Sequence, residues 1–506
     1  MEELRLVAPD PLWHPSSVAA RAALFGIDAP DIKTSSILES DCADGGNILS
    51  VAASLPNAQC TGISRSAEAR ANGLDLIAAS GLVNVCLLDG ETELDDRFDY
   101  IFLRNTYSRY SENERNEMMK RCASLLKDGG FLVVESLCLP GWSYAEPIRA
   151  QLQYHTRNIE DPHEKMIAGR QFLAALVESV PSHLSQLKEL ADSAFQGSTN
   201  VPDINFGLEY FDDGFKATYF HEFITSLDGS GLQYLCDLSL GSMMVNQFPA
   251  AMSKILPEDA GIVESEQYLD FTVNRAKRFS ILCSDTIDID RSISPDAVRK
   301  LYFSTSGLPD NPDSVFDTEE VQLNSPNGGL LTLRHASAKA ALLALASSFP
   351  KRLSFDEVCK AVENGLGSFD DESEKIIAET LVACAVSEII QVDSYQGGAS
   401  FEGVDKPKVS ALARAQAESD KFGYVSSLQH RSIVVDSTAS QLLSMLDGSV
   451  GVDELVGRVG ELISQGDLIV KQAGEPIDDE AIISEASEAQ VRAFLDRFLV
   501  QGVFQS

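Results

Sequence analysis

Five short runs rich in β-branched and aromatic residues alternate with helical patterns between residues 36 and 136, and this alternation constrains the fold most. The runs are Ile37–Glu39, Ala58–Ile63, Val83–Leu88, Phe98–Leu103 and Gly130–Glu135. Strands separated by helical segments form parallel sheets whose crossover helices cover both faces. The pattern therefore predicts a doubly wound, Rossmann-like α/β domain. Ligands of such sheets bind beyond the carboxyl ends of the strands, so the residues after each run are the candidate site.

The remaining chain has other patterns, and its 506 residues are too many for one core. From 143 to 323, long helical patterns such as Pro162–Val180 and Glu264–Leu282 predict a helical domain. The turn-rich segment Asn324–Gly329 then opens a winged-helix-like unit of three helices and a strand. We expect four domains: 1–142, 143–323, 324–405, and a C-terminal α+β domain at 406–506.

The composition excludes several classes of partner and site. The net charge is -36, so a phosphate backbone or anionic bilayer would be repelled, and we expect no nucleic acid partner. The most apolar stretch, Ala340–Ala346, is too short to span a membrane, and no signal sequence opens the chain, so we expect a cytoplasmic protein without membrane insertion. Nine cysteines form no CxxC pair, which predicts reduced thiols and no metal site.

The segment Ser35–Asn47 leads from the first strand into a loop and the start of a helix. In such units glycines allow the backbone to approach a nucleotide, and Gly45 precedes the helix. Glu39 ends the first strand, Asp89 directly follows the third, where a carboxylate could accept from an adenine amino group, and Arg104–Tyr107 follows the fourth. No P-loop lysine is present, which favours a nucleoside over a triphosphate. This is the pattern of S-adenosylmethionine (AdoMet).

At this point the chain resembles a known family, the bacterial class I methyltransferases that carry a methyltransferase regulatory domain. That group includes the rickettsial protein lysine methyltransferases acting on an outer-membrane protein. The resemblance extends over nearly the whole chain and is carried by Leu38–Glu39, Asp44–Asn47, Phe98–Ile101, Leu139–Trp142, Tyr154–Arg157, Asp161–Pro162, Tyr219–Phe223, Gly231–Leu235, Glu266–Phe271 and Ser410–Gln416. It implies AdoMet as the cofactor and a protein lysine as the methyl acceptor.

Departures from the family pattern fall on one pocket. The usual Glu-x-Gly-x-Gly-x-Gly loop has Asp41 and Ala43 at its first two glycine positions, and the acid after the second strand is replaced by Ser64. The usual His-Gly-x-Tyr-Ser-Trp reads Arg104–Arg109, and the lead-in before His14 is short. Loss of the ribose acid removes roughly 1.5–3 kcal/mol, or about one to two decades of affinity. We therefore expect weakened cofactor binding.

The resemblance and the strand ends together predict the site. The predicted cofactor contacts are Glu39, Asp41, Ala43, Gly45, Asn47, Ser64 and Asp89. Asn105 and Tyr107 are the candidate catalytic residues, near the transferred methyl group. Methyl transfer to an amine depends mainly on alignment, so the altered loop is compatible with activity. Two functions stay open: an AdoMet-dependent protein lysine methyltransferase, or a catalytically inactive relative that serves as a protein-binding or scaffolding partner.

Other conspicuous residues are interpreted as structural. Trp142 and Cys42 are predicted to be packing residues, and His155 and His221 are predicted to be buried, hydrogen-bonded structural groups rather than ligands. The long amphipathic helices between 143 and 291 offer more apolar surface than the first domain can cover, which predicts a homodimer.

Overall fold

The computed structural model describes residues 7–199, 203–211, 214–243, 252, 254–257, 260–307, 320–324, 330–400, 405–419, 421–466, 468, 471–472, 475–476 and 480–505. The helices are α1 (Pro15–Leu24), α2 (Gly46–Ser54), α3 (Ala67–Ser80), α4 (Glu112–Leu125), α5 (Gly141–Tyr144), α6 (Glu146–His155), α7 (Pro162–Ser179), α8 (Ser185–Thr199), α9 (Asp203–Phe211), α10 (Phe220–Thr225), α11 (Ile262–Val273), α12 (Ala336–Ser348), α13 (Phe355–Leu366), α14 (Asp371–Val386), α15 (Ala411–Glu418), α16 (Ser437–Ser444), α17 (Val452–Gln465) and α18 (Glu480–Leu499).

The strands are β1 (Ser36–Ser40), β2 (Gln59–Ser64), β3 (Val85–Asp89), β4 (Phe98–Leu103), β5 (Leu126–Leu137), β6 (Leu232–Asp237), β7 (Lys277–Ser284), β8 (Tyr302–Ser304), β9 (Val321–Asn324), β10 (Leu330–Leu333), β11 (Leu353–Ser354), β12 (Gln391–Asp393), β13 (Tyr424–Ser426), β14 (Ser432–Val434), β15 (Lys471–Gln472) and β16 (Glu475–Pro476). The first seven form one sheet in the order β3-β2-β1-β4-β5-β7-β6. The predicted strands β1 to β5 pair in parallel, while β7 runs antiparallel to both of its neighbours. The doubly wound α/β prediction is confirmed.

The sheet is larger than the sequence pattern indicated. Strands β6 and β7 lie inside the region predicted to be helical, and they extend the sheet of the first domain. The predicted helix Glu264–Leu282 is wrong beyond Val273, because Asn274 adopts a left-handed conformation with φ 51° and ends α11. The following residues pair with β5, more than 130 positions earlier in the chain. A pairing over that distance leaves no local periodicity to detect.

The helices α6 to α9 form a separate cluster with its own core. That core is built from Ile148, Leu152, Met166, Leu173, Ala191, Ala194, Phe206, Tyr210 and Phe211. It is the helical part of the predicted second domain.

Two smaller units complete the chain. The middle unit combines α12, α13 and α14 with a three-stranded antiparallel sheet in the order β11-β8-β12, consistent with the winged-helix-like prediction. Of the predicted turn-rich linker, residues 325–329 lie outside the described part of the chain. The last unit has a core of its own, to which α15 to α18 contribute. Within the described residues, no helix is both long and apolar enough to cross a bilayer.

The C-terminal unit also packs on the first domain. Leu412 of α15, Phe422 and Tyr424 form one buried cluster with Leu49 of α2 and Leu76 of α3. Helices α2 and α3 follow β1 and β2, so this contact brings the end of the chain beside the predicted cofactor loop.

Candidate functional site

The predicted site residues lie along one edge of the sheet, where β1 to β4 end. Strand β1 lies between β2 and β4, so the strand order reverses at this point, which is where doubly wound sheets bind ligands. Ser40 is paired with Ile63 on one side and with Leu103 on the other, and Ser64 is paired with Asp89. The structure therefore brings the four predicted strand ends together.

The loop after β1 has left-handed backbone at Asp41 and Ala43, where the resemblance predicts glycine, and at Gly45. The φ angles are 58° at Asp41, 51° at Ala43 and 79° at Gly45. A left-handed conformation costs a residue with a side chain roughly 1–2 kcal/mol, whereas glycine adopts it freely. Hydrogen bonds from Cys42 N to Ile63 O and from Gly45 N to Cys42 O, both 2.8 Å, hold the loop. The strained path is thus retained without the residues that favour it.

The start of α2 is covered by parts of the chain that are distant in sequence. The buried Asp44 carboxylate accepts hydrogen bonds from Val7 N at 2.9 Å and from Gly46 N at 3.4 Å. A side chain at Gly46 would collide with the Tyr424 hydroxyl and the Val7 carbonyl oxygen. Helix N-termini attract anions, and here the N-terminal segment and the C-terminal domain lie directly against one.

Glu39 and Asn47 form a buried hydrogen-bonded chain with a residue that sequence reasoning missed. Asn47 Nδ2 donates to Glu39 Oε2 at 3.1 Å, and Asn47 Oδ1 lies 2.8 Å from His430 Nε2. His430 Nδ1 lies 3.0 Å from Ser50 Oγ. Burial lowers the pKa of His430 well below its ordinary value, so its ring is neutral. His430 is 383 positions from Asn47, and no local pattern could have indicated the contact.

Arg70 occupies the space between the ends of β2 and β3, and sequence reasoning missed it too. Its Nη1 atom donates to Ser64 O at 3.0 Å and lies 2.6 Å from Asp89 Oδ2. A hydrogen bond from the Glu91 backbone amide, together with Arg70, lowers the pKa of Asp89. Ser64 is buried, and its hydroxyl donates to Ser66 O at 3.2 Å. The carboxylate predicted to accept from adenine is therefore ion-paired within the protein.

The candidate catalytic residues lie beyond β4 and point to different neighbours. Asn105 has a φ of 53°, and its backbone amide donates to Glu135 Oε2 at 2.9 Å. Tyr107 is buried, and its hydroxyl lies 3.3 Å from Ser226 Oγ, just after α10. Burial raises the pKa of Tyr107, so its hydroxyl is protonated at neutral pH. Tyr107 also borders a groove of about 920 Å³.

The two arginines that replace family residues after β4 contact different parts of the chain. Arg104 Nη1 donates to Ala8 O at 3.1 Å, and its guanidinium lies 5.3 Å from the centre of the Trp13 ring. Arg109 lies 4.8 Å from the centre of the Phe215 ring. Arg104 thus joins the N-terminal segment to the strand end beside the cofactor loop.

The residues interpreted as structural have structural contacts. Trp142 is buried with the Arg149 guanidinium 3.7 Å from its ring centre. His155 stacks on Phe172, and His221 lies 3.1 Å from Gln267 Oε1. Cys42 is buried, and burial raises its pKa well above the ordinary value. The packing prediction is confirmed for Trp142 and Cys42, whereas the prediction of buried histidines is wrong: His155 and His221 are exposed, and His221 borders the groove beside Tyr107.

Two family models match parts of the chain. The predicted methyltransferase regulatory domain matches residues 206–284, which include α10, β6, α11 and β7. The PKMT C-terminal winged helix domain matches residues 405–503. The latter is the unit that sequence analysis described as α+β, and it is the one that contributes His430 and Tyr424.

Relatives and solved structures match the chain from end to end. Uncharacterized protein RP789 of Rickettsia prowazekii (strain Madrid E) is 25% identical over 504 residues, covering 97% of this chain and 90% of that protein. PKMT2 from Rickettsia typhi, solved in complex with AdoHcy, superposes with a TM-score of 0.85 at 24% identity and covers 99% of both chains. A second structure of PKMT2 also gives 0.85, at 23% identity, covering 98% of this chain and 99% of that one. The chain therefore has the fold of PKMT2 and contains segments that match the methyltransferase regulatory domain and the PKMT C-terminal winged helix domain.

Proposed function

We propose that this protein is an AdoMet-dependent methyltransferase that N-methylates lysine side chains of a protein. The observation that carries the proposal is the loop after β1. Asp41 and Ala43 are held in left-handed conformations, which Asp tolerates but which are unfavourable for Ala. Strain of this kind persists where the surrounding structure imposes it and is concentrated at functional sites. The similar PKMT2 of Rickettsia typhi was solved with AdoHcy, the product that AdoMet leaves after methyl transfer.

The residues at the strand ends fit such a cofactor in part. Loop amides around Gly45 and the Glu39 carboxylate would hold its amino acid portion, and Asp89 would accept from the adenine amino group once Arg70 releases it. AdoMet supplies an electrophilic methyl group on a sulfonium. The protein's task is then to align a neutral amine with that methyl and to exclude water, which requires orientation more than a particular side chain.

A lysine acceptor is supported by the groove beside Tyr107. Its lining combines the rings of Tyr107, Tyr110 and Phe223 with the carboxylates of Glu112, Glu222 and Asp228 and with the cations of Arg115, Lys120 and Lys216. The carboxylates attract an ammonium group, whereas guanidinium groups already lie over the Tyr107 and Tyr110 rings. The groove would guide a lysine from a protein substrate towards the sheet edge, where it must lose a proton before it can attack.

The second candidate function, a binding or scaffolding partner without activity, is favoured by a different observation. Arg70 pairs with Asp89, and the chain's own Val7 and Tyr424 lie against the start of α2. In a protein without cofactor, these contacts would be the permanent state of the site.

Calorimetric titration with AdoMet and with AdoHcy separates the two candidates. We expect binding of both, weaker than a site with the ribose acid would give by about one to two decades. Arg70→Ala, which frees Asp89, should tighten binding, while Arg65→Ala on the neighbouring exposed position serves as the charge-matched control. If neither the parent nor the Arg70 variant shows a heat of binding at millimolar ligand, the methyltransferase proposal is contradicted.

We also propose a homodimer, formed through the helical region, in the cytoplasm. Tyr144, Tyr154, Ile167 and Leu184 are large apolar side chains on this region that are more than 40% exposed, and exposed apolar patches mark interaction surfaces. Free cysteines throughout the described residues are compatible with a reducing compartment. Light scattering should give twice the chain mass at micromolar concentration. A single-chain mass across that range would contradict the dimer.

A further inference from the structure

We infer that His430, in the C-terminal domain, is a positioning residue for the cofactor site, because it orients Glu39 at the end of β1 through Asn47. The inference rests on the proposed function, since it assigns a purpose to the geometry of the loop that would hold the cofactor. It gives the C-terminal winged helix domain a direct role at a site on the other end of the chain.

The hydrogen bonds that link Glu39, Asn47, His430 and Ser50 allow one arrangement of donors and acceptors. Asn47 has one amide group, so when its Nδ2 donates to Glu39, its Oδ1 is left to accept. His430 must then carry its proton on Nε2, which lies 2.8 Å from Asn47 Oδ1. His430 Nδ1 is left to accept from the Ser50 hydroxyl at 3.0 Å. Each group therefore specifies the orientation of the next, from the C-terminal domain to the Glu39 carboxylate.

The surroundings of His430 prevent it from turning. The side chain is 1% exposed, and the His14 ring lies 5.0 Å away, centre to centre. His430 itself has a φ of 61°, a conformation that costs a non-glycine residue free energy and is retained here. Burial lowers the pKa of His14 to about 3, so the two rings pack as neutral groups. A strained, buried, doubly hydrogen-bonded histidine is rigid enough to orient a partner.

The C-terminal domain also contacts the start of α2, which supports its role in positioning the cofactor site. Tyr424 lies against Gly46 with its hydroxyl buried, and within the described part of the chain that hydroxyl has no hydrogen-bond partner. Lys421 Nζ donates to Asn72 Oδ1 of α3 at 2.6 Å. The domain thus contacts both helices that follow the strands of the site. Separation of this domain would remove the hydrogen bond from His430 that orients Asn47 towards Glu39.

Hydrogen exchange and calorimetry on the full chain test the inference. His430→Ala should speed amide exchange in residues 40–50 severalfold and weaken AdoHcy binding about five- to tenfold, the loss expected for one buried hydrogen bond. His430→Gln, whose amide reaches the same distance and can donate to Asn47, should restore most of both. Ser54→Ala is the matched control. Ser54 lies on α2, as Asn47 does, but its hydroxyl bonds to His14 at 3.1 Å and not to Asn47.

A double-mutant cycle distinguishes positioning from general loosening of the interface. His430→Ala and Asn47→Ala both interrupt the same series of hydrogen bonds. The double variant should therefore bind AdoHcy no more weakly than whichever single variant has the lower affinity. Additive losses would overturn the inference, as would equal effects from Ser54→Ala or unchanged exchange in residues 40–50 of folded His430→Ala. If the parent binds neither AdoMet nor AdoHcy, the proposed function fails, and the exchange comparison by itself decides the role of His430.

Discussion

Two buried acidic clusters lie in the domain of the seven-stranded sheet, and different kinds of donor hold them. At the end of β1, Glu39 accepts from the side-chain amide of Asn47, and Asp44 accepts from the backbone amide of Val7. At the other side of the sheet, carboxylates of α11 accept from the guanidinium of Arg278 on β7. The described contacts of the first cluster include a side-chain amide and a backbone amide, and those of the second include a buried guanidinium.

The second cluster is balanced within itself. Arg278 is fully buried and bonds to Glu266 at 2.6 Å and to Asp270 at 2.8 Å, while Asp237 lies 3.9 Å away. Arg275 adds a second guanidinium on Asp270 at 2.6 Å. Each of the three carboxylates has a guanidinium group nearby, so the cluster joins α11 to the sheet.

The comparison of the two clusters indicates which of the segments that resemble the family serve the fold and which lie at the candidate site. Glu266–Phe271, one of the segments that carry the resemblance, supplies two carboxylates of the balanced cluster, so its resemblance there reflects the fold. The loop after β1 has left-handed backbone at Asp41 and Ala43, the two positions where the resemblance predicts glycine. Residues at the second cluster are therefore expected to affect stability, and residues at the loop to affect ligand affinity.

The largest effect is expected at the balanced cluster. Arg278→Met keeps the volume of the side chain but leaves Glu266 buried without its cation and Asp270 with Arg275 alone, and breaking a buried pair typically costs about 3–5 kcal/mol. Urea denaturation should register this loss in the free energy of unfolding. The control is Arg492→Met, because Arg492 and Glu488 form an exposed pair on α18 that contributes little. Equal stabilities for the two variants would contradict the contrast.

The pH dependence of stability should come from the same cluster. Burial raises the pKa of Glu266 from 4.5 to about 7 despite the opposing effect of Arg278. Between these values the folded protein keeps a proton that the unfolded chain has lost, so the free energy of unfolding falls as pH rises from 4.5 to 7. Glu266→Gln cannot titrate, so its stability relative to the parent should rise over that interval, by an amount of the order of 2–3 kcal/mol.

Urea denaturation at pH 5 and pH 8 measures this difference. Glu264→Gln changes an exposed carboxyl on the same helix and should follow the parent at both pH values. A constant difference between Glu266→Gln and the parent would show that Glu266 does not titrate in this range.

The smallest effect is expected at the loop after β1, where substitutions should change the free energy of AdoMet binding. Restoring the family residues with Asp41→Gly, Ala43→Gly and Ser64→Asp should tighten AdoMet binding by about a decade, mainly through the ribose acid. The changes should not be additive, because positions 41 and 43 share one loop. Ser64→Asn in place of Ser64→Asp is the uncharged control.

If the triple variant has a normal thermal melt but binds AdoMet no better than the parent, the obstruction to binding lies outside positions 41, 43 and 64. Arg70 is then the first residue to change, because it bonds to Ser64 O and to Asp89. Arg104 follows, because it ties the N-terminal segment to the end of β4.

Local sequence patterns determined the elements that carry the site. Strands β1 to β5 follow from short β-rich runs, and their order in the chain places Asp41, Ser64, Asp89 and Asn105 just beyond or at strand ends, because parallel strands end at one edge. The presence of Asp and Ala at positions 41 and 43 of the loop is likewise read from the sequence. The reason is that periodicity and turn composition are properties of neighbouring residues.

Only the tertiary structure decided how the site is completed. Strand β7 was missed because its pairing with β5 is a long-range contact, and the left-handed path of Asp41 and Ala43 is imposed by packing, against the preference of Ala43. His430 and Arg70 enter the site for the same reason, since their partners are set by the docking of one domain on another and by the approach of two strand ends. Sequence patterns determine elements because their causes are local, whereas contacts between distant residues arise only when the elements pack.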